Sequence, residues 1–405
     1  MRETGLPASE LLAELDRRRA TEPDVHAARL FGLVYPSGRD DLEQLFFEIQ
    51  RRYLFHNALN PFKFPEVAAL EAEVVEMTGA LLHVADGGGG SMTSGGTESI
   101  LMSMLVNRER ARARGVEHPQ ILAPYSAHPA YAKAAHYFGM ELVQVPLDDR
   151  WRVDAREAAR LIGPSTAVLV ASAFSYPYGV MDPVADIAAL AAEHRVGCHV
   201  DACIGGFVLP FLERLGRDVP SWDFRVEGVT EISADVHKFG YVPKGASVIL
   251  HRDADWSRHQ VFLYDRWPAG LYGSPAIMGA RPAAPIANAW AVMRYLGIDG
   301  YTQIMRDLMS TVDKVRAGLV ALPGVEIVGD PIGPVLALQS STIDLYAVAD
   351  VMDERGWNLN RNVEPRGLHM VLSPAHTTVA DELLADFADA VANHSESKGV
   401  EARYS

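Results

Sequence analysis

Ser233-Ala-Asp-Val-His-Lys-Phe-Gly-Tyr-Val-Pro-Lys-Gly-Ala-Ser247 sets a histidine and a lysine between two short apolar runs, Glu231-Ile-Ser233 before them and Ala246-Ser-Val-Ile-Leu250 after. Four similar runs lie upstream: Gln120-Ile-Leu-Ala123, Glu141-Leu-Val-Gln-Val145, Ala167-Val-Leu-Val-Ala171 and Gly197-Cys-His-Val200. Runs this short and apolar read as buried strands. Helical stretches separate them from about residue 65 to 295, and such alternation predicts a mainly parallel sheet covered by helices.

The pattern changes on either side. Residues 8 to 20 and 41 to 54 have helical periodicity with charged faces, and the turn-rich Tyr35-Pro-Ser-Gly-Arg-Asp40 separates them, so this part reads as an arm. After Tyr301 come a helix, strands at Val325-Glu-Ile-Val328 and Val335-Leu-Ala-Leu338, another helix, the strand Leu368-His-Met-Val-Leu372 and a last helix from about 378. The expected division is an arm over 1–60, a large α/β domain over 61–300 and a small C-terminal α+β domain over 301–405.

Composition narrows the function. A charged fraction of 22% and a hydrophobic fraction of 48% are ordinary globular values. The net charge of -15 argues against nucleic acid, since the Arg108 to Arg114 cluster reads as the solvated end of a helix. Cys198 and Cys203 lack metal-site or disulfide spacing and read as buried thiols in a reducing compartment. No secretory h-region and no run of about 18 apolar residues occurs, so a soluble cytoplasmic protein without an integral membrane segment is expected.

Three motifs supply complementary chemistry. Met92-Thr-Ser-Gly-Gly-Thr-Glu-Ser-Ile-Leu101 joins a glycine-rich loop to a helix with the stripe Ile100, Leu101, Met104 and Leu105. Gly95 and Gly96 let backbone approach a phosphate, Thr97 adds a hydroxyl, and the helix N-terminus adds donors and dipole. Neither Walker A nor dinucleotide spacing is present. In Cys198-His-Val-Asp-Ala-Cys-Ile-Gly-Gly206, Asp201 ends a parallel strand, on the edge where such sheets bind ligands. A carboxylate there suits a protonated pyridine nitrogen, although Asp also suits a helix cap. His199 faces the other side and reads as a core histidine. A desolvated Lys238 can form a Schiff base with an aldehyde. Phosphate cradle, pyridinium carboxylate and imine lysine together specify pyridoxal 5'-phosphate, and His128 in Ser126-Ala-His-Pro-Ala130 fits a group stacked over its ring. No metal site is expected.

With these motifs the chain resembles the sphingosine-1-phosphate lyase family of fold type I pyridoxal phosphate enzymes, related to the group II decarboxylases. The similarity runs from about Tyr35 to His376 and includes Phe64-Pro-Glu-Val, Glu71-Ala-Glu-Val-Val-Glu-Met77, Leu271-Tyr-Gly-Ser-Pro275 and Gly356-Trp-Asn-Leu-Asn360. The resemblance implies a mainly parallel seven-stranded sheet and a homodimer with shared active sites. It also implies Lys238 as the Schiff-base lysine, Asp201 on the pyridine nitrogen, His128 stacked on the ring and Gly96 and Thr97 on the cofactor phosphate. His237 would lie near that phosphate, with Gly273 and Ser274 from the partner subunit. Tyr35, Asn57 and Lys244 would meet the phosphate of the substrate, and Tyr176 the reacting carbons.

One departure bears on the substrate. The family reads Asn-Pro-Leu-His-Pro-Asp where this chain has Asn57-Ala-Leu-Asn-Pro-Phe62, so Asn60 replaces a histidine and Lys63 brings a new charge. The family's membrane anchor is also missing, so the expectation is a lipid substrate met from the cytosol or a soluble substrate in its place. The expected reaction is carbon-carbon cleavage of an amino alcohol, such as a phosphorylated long-chain base, to an aldehyde and an amine. An amino-acid decarboxylase is the alternative; it needs a cationic clamp for a carboxylate, for which Arg281 or Lys244 is available.

Overall fold

The computed structural model describes residues 1 and 3–402; Arg2 and residues 403–405, which the terminal units above include, lie outside the described residues. Seven strands build the central sheet: β1 (Gly89–Thr93), β2 (Gln120–Pro124), β3 (Glu141–Val145), β4 (Thr166–Ser172), β5 (Gly197–Asp201), β6 (Glu231–Ala234) and β7 (Ser247–His251). Their order is β1-β7-β6-β5-β4-β2-β3. The five strands from β2 to β6 run parallel, while β7 is antiparallel to both of its neighbours. Residues such as Val168, Leu169, Val200 and Ile232 are fully buried, as a sheet covered on both faces requires.

Six of these strands coincide with the apolar runs in the sequence. The seventh, β1, hides in the glycine stretch. A Cβ on Gly90 would stand 1.9 Å from the Ile249 carbonyl oxygen, so only glycine lets β1 lie against β7. That strand leads directly into the Ser94-Gly95-Gly96 turn and the helix Gly96–Ala113. The helix buries Ile100, Leu101 and Met104 as expected, but also Met102, Ser103, Val106 and Asn107, because it packs between the sheet and the helix Ala130–Phe138.

A hairpin of β8 (Phe262–Tyr264) and β9 (Tyr272–Ser274) follows the large sheet. The helix Ala283–Val320 then runs past residue 300, with a non-helical Gly297 (φ 55, ψ -176) inside it. Beyond it, β10 (Glu326–Ile327), β11 (Val335–Gln339), β12 (Asn360–Asn362) and β13 (Gly367–Val371) form an antiparallel sheet in the order β10-β11-β13-β12. The N-terminal helices are Ala8–Arg19 and Asp40–Tyr53; the first buries no residue, whereas the second packs on Ala283–Val320 through Leu42 and Ile49. Among the described residues, no helix is long and apolar enough to cross a membrane.

Candidate active site

The carboxyl ends of β4 and β5, the turn after β6 and the turn after β1 surround a cavity of 360 Å³. Gly95, Gly96, Thr97, His128, Tyr176, Asp201, His237, Lys238, Lys244 and Tyr35 all line it. Ten expected site residues spread over more than two hundred positions thus meet in one place.

Lys238 sits on a turn that its own backbone fixes. The His237 N–H donates to the Ala246 carbonyl at 2.9 Å and the Lys238 N–H to the Asp235 carbonyl at 3.2 Å. From the long helix, the Tyr301 hydroxyl donates to the Gly240 carbonyl at 2.9 Å. Within this turn Lys238 Nζ lies 2.9 Å from Asp235 Oδ2, and the Asp235 side chain is buried. Burial disfavours both charges. Lys238 nevertheless stands well above the ordinary lysine pKa because Asp235 is so close, and the Lys238 charge brings Asp235 below its ordinary value.

Asp201 closes β5 beside Ser172 of β4 and Ser233 of β6. Its Oδ1 accepts from the Cys203 N–H at 3.1 Å, so the side chain also steadies the turn after the strand. His128 follows β2, and its Nδ1 accepts the Ala130 N–H at 3.1 Å. Burial lowers the His128 pKa, and Lys238 works in the same direction against Asp201 and Asp235. A neutral ring whose Nδ1 accepts carries its proton on Nε2.

The Gly95-Gly96 turn has no room for side chains. A Cβ on Gly96 would lie 2.7 Å from both Asp235 Oδ2 and Cys203 Sγ, and one on Gly95 would lie 3.2 Å from His237 Cε1. Buried Glu98 holds the loop: its Oε2 accepts from the Ser94 N–H at 2.7 Å and its Oε1 from the Ile277 N–H at 2.9 Å. Burial pushes His237 down to about 4, and its Nδ1 accepts the Ala246 N–H at 3.2 Å, so the ring is neutral.

A further cation occupies the cavity. Lys244 Nζ stands 4.7 Å from the centroid of the Tyr35 ring. Although the residue keeps an exposed surface, desolvation of its ammonium and the nearby Lys238 charge push it down to about 8. The Tyr176 ring packs 4.4 Å from that of His369.

Five residues singled out in the sequence do not line this chain's cavity. Asn57 bridges Pro282 through its backbone, and its Oδ1 accepts from the Leu59 N–H at 3.0 Å. Asn60 is exposed and caps a turn, with Oδ1 accepting from the N–H groups of Phe62 and Lys63 at 3.0 and 3.1 Å. Gly273 and Ser274 lie on β9, where the Ser274 hydroxyl donates to the Ala276 carbonyl at 2.9 Å. Arg281 is a correction: it does not line the cavity, since both of its terminal nitrogens grip Glu71 at 2.6 and 2.9 Å. It is therefore no clamp for a substrate carboxylate. His199 is a core histidine between the Tyr131 and Ser233 hydroxyls, at 3.0 and 3.2 Å. Both cysteines are free and buried, and burial pushes Cys198 up to about 12.

Sequence reading missed Asp235, whose signal is a carboxylate in a buried run three positions before the lysine. Glu98 and the apolar lining residues Leu33, Phe174 and Ile204 were missed as well. Among the described residues, no cluster of His, Cys, Asp and Glu suits a metal ion.

The residues present fit pyridoxal 5'-phosphate. The gap a Gly96 Cβ would fill leaves backbone donors of an 18-residue helix open for the phosphate, and a lysine, a buried carboxylate and a neutral histidine border the same cavity. Residues 48–339 match the family model for the pyridoxal-dependent decarboxylase conserved domain. Sphingosine-1-phosphate lyase 1 of Rattus norvegicus is 39% identical over 390 residues, covering 96% of this chain and 68% of that protein. The structure of a Burkholderia pseudomallei sphingosine-1-phosphate lyase superposes with a TM-score of 0.94 at 40% identity, over 97% of this chain and 92% of that one. Lactobacillus brevis glutamate decarboxylase shares the fold, with a TM-score of 0.85 at 22% identity over 99% of this chain and 96% of that one. The chain belongs to the pyridoxal-dependent decarboxylase family and, within it, to the sphingosine-1-phosphate lyases.

Proposed function

We propose that this enzyme cleaves a phosphorylated long-chain amino alcohol between its amine-bearing and hydroxyl-bearing carbons, releasing a long-chain aldehyde and phosphoethanolamine. The carrying observation is one cavity in which Lys238 and Asp201 share space with a second cation, Lys244, over Tyr35. Bound pyridoxal phosphate supplies an electron-accepting ring joined to the substrate amine.

The protein's residues divide the remaining work. Gly95, Gly96 and Thr97 hold the cofactor phosphate at the helix N-terminus, and neutral His237 adds a donor without excess charge. Lys238 Nζ would be the group that holds the cofactor aldehyde. The Asp201 carboxylate would keep the ring nitrogen protonated, and the His128 imidazole would exclude water from the ring. Lys244 and Tyr35 bind the substrate phosphate, which leaves the hydroxyl-bearing carbon near Tyr176. Lys238 or Tyr176, which line the same cavity, would take the proton of the substrate hydroxyl.

We also propose a homodimer. Phe262, Leu263 and Leu271 are exposed on and beside the β8–β9 hairpin, and Phe55 and Phe62 beside Asn57, apolar side chains that a second copy of the chain would cover. In that assembly Gly273 and Ser274, with Asn57 and Asn60, complete the site of the neighbouring subunit. The division into 1–60, 61–300 and 301–405 goes with this reading, Gly297 marking the passage to the small domain. The two free thiols support a reducing, cytoplasmic setting.

Incubation with phosphorylated and unphosphorylated long-chain bases beside common amino acids tests the assignment. Aldehyde from the phosphorylated base supports it; carbon dioxide from an amino acid, with no aldehyde from any base, overturns it.

A further inference from the structure

Asp235 is the buried carboxylate to which the reading above gives no task. Its Oδ2 lies 2.9 Å from Lys238 Nζ, and side-chain exposures of 1% and 17% keep water largely away from the pair. A Cβ on Gly96 would stand 2.7 and 2.9 Å from the two Asp235 oxygens, so the carboxylate is packed directly behind the phosphate cradle. It has little freedom to move away from the lysine.

An amine attacks an aldehyde only in its unprotonated form, whereas a buried carboxylate at contact distance stabilises the ammonium. The lysine that must capture the cofactor is thus held beforehand in its unreactive state. We propose that Asp235 is a positioning residue that fixes the place and charge of Lys238 and so sets the pH at which the chain takes up pyridoxal phosphate. This rests on the cofactor assignment made above. On capture, one proton passes from the Nζ ammonium to solvent hydroxide, forming water, and Asp235 stays a carboxylate. The Nζ lone pair then forms the bond to the aldehyde carbon, and the aldehyde oxygen leaves as water with the two remaining Nζ hydrogens. No oxidant or reductant is involved.

Other groups face the pair from each surrounding element. His237, whose Nε2 lies 3.6 Å from Asp235 Oδ2, and Lys244 belong to the same turn. Ser247 comes from β7, Asp201 and Cys203 from the end of β5, His128 from the segment after β2 and Tyr35 from the N-terminal arm. Of these, Lys244 titrates in the working range, pushed to about 8, and a Lys244→Met background removes it from the measurement.

The test mixes cofactor-free, full-length protein with pyridoxal phosphate and follows the visible absorbance of the lysine-bound cofactor from about pH 6 to about pH 10. The capture rate of the parent protein should still be rising at about pH 10, near the ordinary lysine pKa, and Asp235→Asn should level off at least about one unit lower. Equal midpoints in the two proteins overturn the proposal. Should Asp235→Asn not fold, the parent decides alone: a rate that levels off well below about pH 10 overturns it. If neither protein develops the absorbance at any pH, the cofactor assignment fails and takes this proposal with it, an outcome distinct from equal midpoints.

Discussion

Lys244 carries its ammonium 4.7 Å from the centre of the Tyr35 ring, in the cavity that also holds Lys238. With its pKa pushed down to about 8, it is cationic below that pH and neutral above it. A group whose cationic form binds an anion favours binding below its pKa and loses that contribution above. For a phosphorylated substrate kcat/KM should therefore fall as pH rises through about 8. Lys244→Gln should raise KM about tenfold near neutral pH and flatten that limb, as loss of one charge-assisted contact implies. An unphosphorylated analogue should respond little, which steady-state kinetics on both substrates would reveal.

Asp201 is predicted to act on the ring rather than to retain the cofactor. Asp201→Asn should keep the visible absorbance of the bound cofactor but lower kcat about 10²-fold, the scale of losing one preorganised electrostatic partner. A variant with full kcat would remove Asp201 from its role on the pyridine nitrogen.

The Arg281–Glu71 pair is expected to matter for stability. Its side chains are 8% and 14% exposed, and Arg281 also donates to the Met92 carbonyl at 3.1 Å, so it ties the edge of β1 to the chain leaving β9. Arg281→Ala leaves Glu71 unpaired, and urea unfolding should show a loss of about 3 kcal/mol. Replacing both partners with Met and Leu should cost less.

Assembly can be tested through the hairpin. Leu263→Asp with Leu271→Asp should turn a dimer into a monomer in sedimentation equilibrium and abolish activity. Mixing a Lys238→Ala protein with a Gly273→Asp protein should restore activity that neither has alone, because a mixed dimer contains one intact site. Activity in the doubly substituted monomer would contradict a shared site.

Much of this site is legible in the sequence because its residues end or follow apolar runs. Asp201 at the end of β5 and Lys238 just past β6 had to fall on the same sheet edge once those runs were read as parallel strands. Gly95 and Gly96 marked the turn into the helix Gly96–Ala113 through their spacing, and that turn lines the cavity. The strand β1 was not legible, since Gly89 and Gly90 resemble a loop until the Ile249 carbonyl is seen 1.9 Å from where a Cβ would stand. Arg281 illustrates the converse limit. As a sequence element it was an available cation, and only its distance to Glu71 shows that it is already spoken for.

The most direct measurement is the product balance on a phosphorylated long-chain base. The purified, cofactor-loaded enzyme should release long-chain aldehyde and phosphoethanolamine in equal amounts, and Lys238→Ala should release neither while losing the visible absorbance. Carbon dioxide release from an amino acid by the same preparation, with no aldehyde from the base, would contradict the account.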